Sequence, residues 1–330
     1  MAASEDMKPC LSETAGSLGF TAWGVARVEP LDEEAARLAT WINLGLNASM
    51  GYLERAMDIR RNPSHKGFFP GARTMVMAAL PYAHDAPPAS SLAAALAAYS
   101  RGRDYHRVVR EKLEKLVSQV EGRAGVSQVE GRAGPVRSRI FVDSAPVMEK
   151  AWARRCGVGW IGRNSLVVTP QAGSLVVLGG FVTTLELEPD VPAADACGDC
   201  DACVRACPTG AIRSDRTLDA ALCLSYLTTQ LGRADDEDLA RRIAGRSIFG
   251  CDLCQEACPH NRRPPAGDEA LQPLPSLLGM TVEDLLAMDT ARVADLIEGT
   301  AMRKLGPERI LQNARCRGGS PHVQKQLGRT

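Results

Sequence analysis

Eight of the chain's 11 cysteines fall between Cys197 and Cys258, and their spacing constrains the fold more than any other feature. The run CGDCDACVRACP sets Cys197, Cys200, Cys203 and Cys207 at C-x2-C-x2-C-x3-C-P, and CDLCQEACP sets Cys251, Cys254 and Cys258 at C-x2-C-x3-C-P. The first run has the ligand spacing of bacterial two-cluster ferredoxins, where the fourth cysteine serves the other cluster. The second run lacks its first cysteine, and Cys223 can supply that ligand because it need only be near in space. Eight thiolates then satisfy two [4Fe–4S] clusters without remainder. One takes Cys197, Cys200, Cys203 and Cys258; the other takes Cys207, Cys223, Cys251 and Cys254. Each Cys-Pro is expected to start a helix that crosses to the partner cluster. Zinc would favour paired C-x2-C motifs with four ligands per site, which the triplet does not suit. Cys10, Cys156 and Cys316 have no ligand spacing and read as small apolar residues.

The compartment argument agrees. The N-terminus MAASEDMKPC has no basic start followed by an apolar run, so no secretory signal is read and the expectation is a cytoplasmic protein, where structural disulfides are rare. No apolar stretch approaches the ~18 residues of a membrane span, so no membrane partner is expected. Lys+Arg and Asp+Glu each total 39 in 330 residues. Any nucleic-acid surface must therefore be local. Two stretches qualify: 301–330, with seven basic residues against Glu308 alone, and 101–115, with six against three acids.

Ahead of the cysteines, LDEEAARLATWINLG predicts a helix and PGARTMVMAALPY a turn and a buried strand. SLAAALAAY reads as a helix. DYHRVVREKLEKLVSQV reads as an amphipathic helix with Val108, Val109, Leu113, Leu116, Val117 and Val120 on its apolar side. The nonapeptide VSQVEGRAG occurs twice, at 117–125 and 126–134, and reads as a local surface insertion. RSRIFV is a strand, and NSLVVTPQAGSLVVLGGFVTTLEL predicts two strands forming a hairpin around 171–173. EPDVPAADA reads as a linker.

Three features invite functional readings. CGVGWIG is formally G-x-G-x-x-G, but a helix precedes it and a strand follows, the reverse of a dinucleotide fingerprint. Its glycines read as a helix end and a close backbone approach. DYHRVV begins like a cobalamin-binding D-x-H-x-x-G motif without the glycine, and His106 reads as a helix-face histidine. Asp143 ends strand RIFV and begins DSAP before a helix. Strand ends can face a ligand crevice, but Asp and Ser there are also ordinary caps.

Together these segments resemble the epoxyqueuosine reductase family across residues 15–315. The resemblance is carried by WINLGLNASMGYL, IRRNP, PGAR, RGRDYH, VDSAPVMEKAWARRCGVGWIGRNSL, CGDCDACVRACPTGAI, CLSYLT, GCDLCQEACPHN and GTAMRKLGPERILQNAR. It implies an α+β chain in three parts: a nitroreductase-like cobalamin-binding domain (1–190), a two-[4Fe–4S] ferredoxin-like module (191–265) and a short helical C-terminal extension (266–330). It implies cobalamin and two [4Fe–4S] clusters as cofactors. The implied substrate is tRNA with a queuosine-type anticodon loop, served by an external low-potential electron donor, and the expected state is a monomer. Asp143 would be the proton donor, its acidity lowered by burial or cofactor contact so that it holds a proton at neutral pH. Arg60, Asp143, Ser225 and Gly250 would contact cobalamin. Two other readings are a corrinoid reductive dehalogenase and a plain two-cluster electron carrier; the first usually has a twin-arginine signal, and the second needs no motif-rich N-terminal stretch.

Overall fold

A computed structural model describes residues 7–124, 126–129, 132–230, 242–243 and 245–318, the side chains of 124–134 excepted. The chain runs α1 (Met7–Ser17), β1 (Ala22–Arg27), α2 (Asp32–Asn43), α3 (Met57–Arg61), β2 (Thr74–Pro81) and α4 (Tyr105–Ala124). β3 (Val126–Val129), β4 (Arg132–Pro135), β5 (Ser138–Phe141), α5 (Glu149–Arg155), β6 (Trp160–Ile161), β7 (Val167–Val168) and β8 (Val176–Thr183) follow. The cysteine region holds α6 (Ala202–Ala206), α7 (Leu224–Thr229) and α8 (Leu253–Glu256). Then come α9 (Pro275–Leu278), α10 (Val282–Leu286), α11 (Thr290–Ile297) and α12 (Pro307–Arg317).

The main sheet has the order β1-β2-β8-β5 and every pairing is antiparallel. All eight residues of β2 are buried. Val76, Ala78 and Leu80 pack with Leu113 of α4 and Leu11 of α1, while Met75, Met77 and Ala79 pack with Trp152 of α5 and Phe141 of β5. A strand covered on both faces shows an unbroken apolar run, which is why TMVMAALP carries no visible alternation. Helix α4 buries five of the six residues its periodicity predicts, and Val117 is half-buried at the edge of the same core. Among the described residues, no helix is long and apolar enough to cross a membrane.

Two expectations change. SLAAALAAY forms two 3-10 turns, Leu92–Ala95 and Ala98–Ser100, instead of an α-helix. Its backbone is claimed by distant partners: Leu92 N–H donates to Met280 O, Ala97 N–H to Phe249 O, and Ala95 O accepts from Ile248 N–H. These contacts, and a core shared with Phe249, Leu277 and Val293, override alanine's helix propensity. The 167–183 hairpin does not form, since β7 pairs with β6 and β8 with β2 and β5. Only an isolated Thr169–Gly173 bridge marks the expected turn.

The duplicated nonapeptide takes two conformations. The first copy completes α4, where Val120 is buried against the sheet. The second copy begins past the helix end and forms the β3–β4 hairpin, in which Val126 pairs with Pro135 and Val129 with Arg132. Segment 266–271 returns to the sheet. Gly267 N–H donates to Ala83 O, Asp268 N–H to Pro81 O, and Lys112 Nζ lies 2.7 Å from Asp268 Oδ2.

Candidate active site and metal centres

The eight clustered cysteines gather into two groups. Cys197, Cys200, Cys203 and Cys258 line one small hollow beside Arg163 and His260. Cys207, Cys223, Cys251 and Cys254 lie on the wall of a large cleft. The C-x3-C spacing does the crossing. Helix α6 carries Cys203 and ends at Cys207, and α8 carries Cys254 and leads to Cys258. Four residues of helix advance ~6 Å, enough to step from one group to the other. The helices thus precede Cys207-Pro208 and Cys258-Pro259 instead of starting there. Only a 3-10 turn, Pro259–Asn261, follows Cys258. The indole Nε1–H of Trp160 donates to Cys197 Sγ at 3.4 Å. Cys156 and Cys316 are buried, and Cys10 is half-buried.

The cleft has a volume of about 1140 Å3. Arg60 of α3, Tyr52, Tyr105, Asp143, Ser225 of α7 and the four cysteines all line it. Burial of Arg60 lowers its basicity, opposed by Tyr52. Gly250 is not among the lining residues. It sits behind the wall at φ 73°, where an added Cβ would come within 2.5 Å of Ala97 Cβ. Its N–H donates to Thr228 Oγ1 at 3.0 Å.

Asp143 follows β5 and adopts a left-handed backbone, φ 56°, uncommon for a residue with a Cβ. Its N–H donates to Glu149 Oε1 at 2.6 Å, and its Oδ2 lies 3.2 Å from His106 Nε2. The carboxyl opens to the cleft, 62% exposed. His106 Nδ1 lies 2.6 Å from Asp104 Oδ1, and Asp104 also caps α4 by accepting the His106 N–H at 3.0 Å. Lys304 Nζ stands 3.2 Å from His106 Nε2. The rings of Tyr105 and His106 stack at 4.0 Å.

This arrangement corrects two expectations. His106 is not a bystander on a helix face; it bonds to Asp143. The D-x-H spacing was the available signal, because it lets one aspartate cap the helix and grip the ring. Nor does burial alone push Asp143 up to hold a proton. The His106 hydrogen bond lowers its carboxyl below the ordinary value, against the effect of burial, with help from Lys304. His106 moves the other way: burial pulls it down, but its hydrogen bonds to Asp104 and Asp143 outweigh that and raise it. Crowding by the cleft wall, and then the Asp143 charge, raise Glu149 to about 8.

The glycines of CGVGWIG do serve close approach. Gly157 ends α5 at φ 75°, and a Cβ on Gly159 would lie 2.3 Å from Val168 O. The basic stretches are partly spent on structure. Arg309 donates to Leu227 O, Arg317 to Arg246 O, Arg101 to Leu96 O and Lys112 to Leu18 O. Arg303, Lys304 and Arg315 are exposed, as are Arg107, Arg110 and Lys115. Lys325 and Arg329 lie outside the described residues.

Comparison with known proteins places this geometry. Residues 60–144 match the family described as "Epoxyqueuosine reductase QueG, DUF1730", and residues 196–261 match "4Fe-4S double cluster binding domain". The chain is 35% identical to the epoxyqueuosine reductase of Shewanella oneidensis, over 90% of this chain and 75% of that one. It is 34% identical to that of Synechococcus sp., over 93% of both. A crystal structure of epoxyqueuosine reductase with an epoxyqueuosine-modified tRNA-Tyr stem loop superposes with a TM-score of 0.83 at 29% identity, covering 95% of this chain and 81% of that one. With an iron–sulfur cysteine region beside an aspartate-bearing cleft and relatives matching along nearly the whole length, this chain belongs to the epoxyqueuosine reductase family.

Proposed function

We propose that the protein reduces epoxyqueuosine to queuosine at the wobble position of tRNA. The reaction takes two electrons and two protons and releases the epoxide oxygen as water. One observation carries the reading. The Cys207, Cys223, Cys251 and Cys254 thiols and the Asp143 carboxyl border the same cleft, so an electron entry and a proton donor face one space.

The two cysteine groups fit two [4Fe–4S] clusters, each with four thiols of compatible spacing. Cys200 is exposed, so the Cys197 group would face the external low-potential donor and the Cys207 group the cleft. The cleft is larger than the ~300–1,000 Å3 of ordinary ligand sites, and its volume and mixed polar and aromatic wall suit cobalamin. Arg60, Asp143, Ser225 and Tyr105 would contact that group, while Gly250 shapes the wall from behind. Bound there, cobalamin supplies a metal nucleophile that no side chain offers.

The chain's own residues orient and protonate. Asp143 reaches into the cleft from a backbone held by Glu149 and would pass a proton to the departing epoxide oxygen. Exposed Arg303, Lys304 and Arg315, with Arg107, Arg110 and Lys115, supply local positive charge for RNA phosphates, so substrate affinity should fall steeply with salt. The related structure with a modified tRNA stem loop supports this substrate. In this reading 1–190 forms a nitroreductase-like cobalamin domain, 191–265 the two-cluster module and 266–330 a helical extension, acting as a monomer.

Anaerobic reconstitution with iron, sulfide and cobalamin, followed by assay on epoxyqueuosine-containing tRNA, tests the proposal. Queuosine should form. A protein that binds clusters but no corrin would be an electron carrier, and one that turns over halogenated substrates in place of the tRNA would be a dehalogenase.

A further inference from the structure

We propose that His106, clamped between Asp104 and Asp143, stores the proton that Asp143 delivers, and that Lys304 takes over the emptied ring nitrogen. This inference rests on the reading of the protein as an epoxyqueuosine reductase. His106 acts through Asp143 and is a positioning and proton-supplying residue.

The argument begins with bonding capacity. Nδ1 faces Asp104 Oδ1 at 2.6 Å, so it carries a hydrogen and donates. Nε2 has two neighbours at 3.2 Å, Asp143 Oδ2 and Lys304 Nζ. A lysine ammonium only donates and a carboxylate only accepts, so Nε2 cannot satisfy both at once. Two states follow. Loaded, Nε2 carries a hydrogen and donates to Asp143. Emptied, Nε2 presents a lone pair and accepts from Lys304.

The loaded state is neutral, and the emptied state carries one net negative charge that reloading cancels. Loaded, two carboxylates balance the imidazolium and the ammonium. Emptied, Lys304 supplies the positive charge and the donor that the ring has lost. Asp104 holds the same ring nitrogen throughout, so the imidazole keeps its orientation. The other groups facing His106 are Glu149, whose carboxyl the charge of the ring pulls down, and the stacked Tyr105 ring.

The transfer balances. As the C–O bond to the epoxide oxygen breaks, the Nε2 proton of His106 moves to Asp143 Oδ2, and Asp143 passes it on to that oxygen and returns to the carboxylate. Water at the cleft rim reloads His106. A second cycle supplies the second proton, the oxygen leaves as water, and the two electrons come from the external low-potential donor. The titration directions agree: Asp143 is held below its ordinary value and His106 above it, so the resting proton sits on the ring.

Two readouts test this on the reconstituted holoprotein. The first is carbethoxylation of His106 by diethyl pyrocarbonate, followed against pH by peptide mass spectrometry, because only the neutral ring reacts. Its midpoint should lie above 6.5, fall in Asp143→Asn, and rise in Lys304→Met, which removes a repelling cation. A midpoint that ignores Asp143→Asn overturns the store, and one that ignores Lys304→Met overturns the role of Lys304. The second readout is the pH profile of tRNA reduction. His106→Gln keeps a hydrogen-bond donor but cannot titrate, and should lose ~10²–10⁴-fold near pH 8. The loss should shrink toward acid pH, where Asp143 can be loaded from water. A loss that is the same at every pH indicates a structural role and overturns the proposal. If the wild-type protein reduces no epoxyqueuosine, the functional reading fails, while the carbethoxylation midpoints still decide whether His106 holds the proton.

Discussion

Glu149 Oε1 accepts the backbone N–H of Asp143 at 2.6 Å and so holds a left-handed residue at the rim of the cleft. Left-handed backbone at a residue with a Cβ persists only when its surroundings enforce it. Glu149→Ala removes the acceptor and should let the Asp143 loop relax. Misplacing a reacting group by an ångström can cost ~10²-fold in rate, and a loss of that order is expected in kcat. Glu149→Gln retains an acceptor oxygen and should stay close to wild type. Iron and cobalamin contents of both variants should match the parent; a Glu149→Ala protein with full kcat would show that the loop holds itself.

Glu149 also sets a pH dependence of stability. Its folded value of about 8 lies above the ordinary 4.5. The folded state therefore binds more protons than the unfolded chain between those values, and stability falls as pH rises through that window. His106, raised above 6.5, adds a loss in the same direction at higher pH. Urea unfolding under anaerobic conditions should show lower stability at pH 8 than at pH 6. Glu149→Gln should be more stable than wild type at pH 8, with the gap closing toward pH 5.

How much of this was legible in the sequence depends on the range of the interactions. The cysteine groups could be read because their ligation is written in local spacing, with only Cys223 remote. Helix α4 and strand β2 could be read because burial imposes periodicity or an apolar run. The Asp143–His106 contact could not, because it joins the end of β5 to the start of α4 through the tertiary fold. The same holds for Lys304, which comes from the far end of the chain. The 92–100 segment misled for a related reason: its alanines favour helix locally, but Phe249 and Met280 claim its backbone.

The cysteine grouping makes its own prediction. If Cys223 completes the cleft-side set, Cys223→Ala should reduce iron from ~8 to ~4 per chain and leave one [4Fe–4S] signal. Cys258→Ala should remove the other cluster and leave the cleft-side one. Loss of the same electron paramagnetic resonance signal in both variants would mean that the two cysteines share a cluster.

Trp160 donates its indole N–H to Cys197 Sγ at 3.4 Å. Hydrogen bonds to ligand sulfurs stabilise the more negative, reduced form of a cluster and raise its potential. Trp160→Phe keeps the ring and removes the donor. The outer cluster should then be harder to reduce, by tens of millivolts or so, in a potentiometric titration followed by electron paramagnetic resonance. The cleft-side cluster should not move.

The duplicated nonapeptide gives a deletion with an unusual control. The two copies are identical, so removing 117–125 or 126–134 yields one and the same chain. The first copy is helix and the second a hairpin, and the shortened chain must choose. The remaining copy would directly follow Leu116, with the sheet still beneath it to bury its second valine. It should therefore complete α4, and only the hairpin should be lost. Closing a shorter connection costs slightly less entropy, so stability should hold or rise. Cofactor content and turnover should be unchanged, because none of the described residues of either copy lines the cleft. Circular dichroism should show retained helix; a drop in helical signal would mean that the hairpin, not the buried valine, fixes the end of α4.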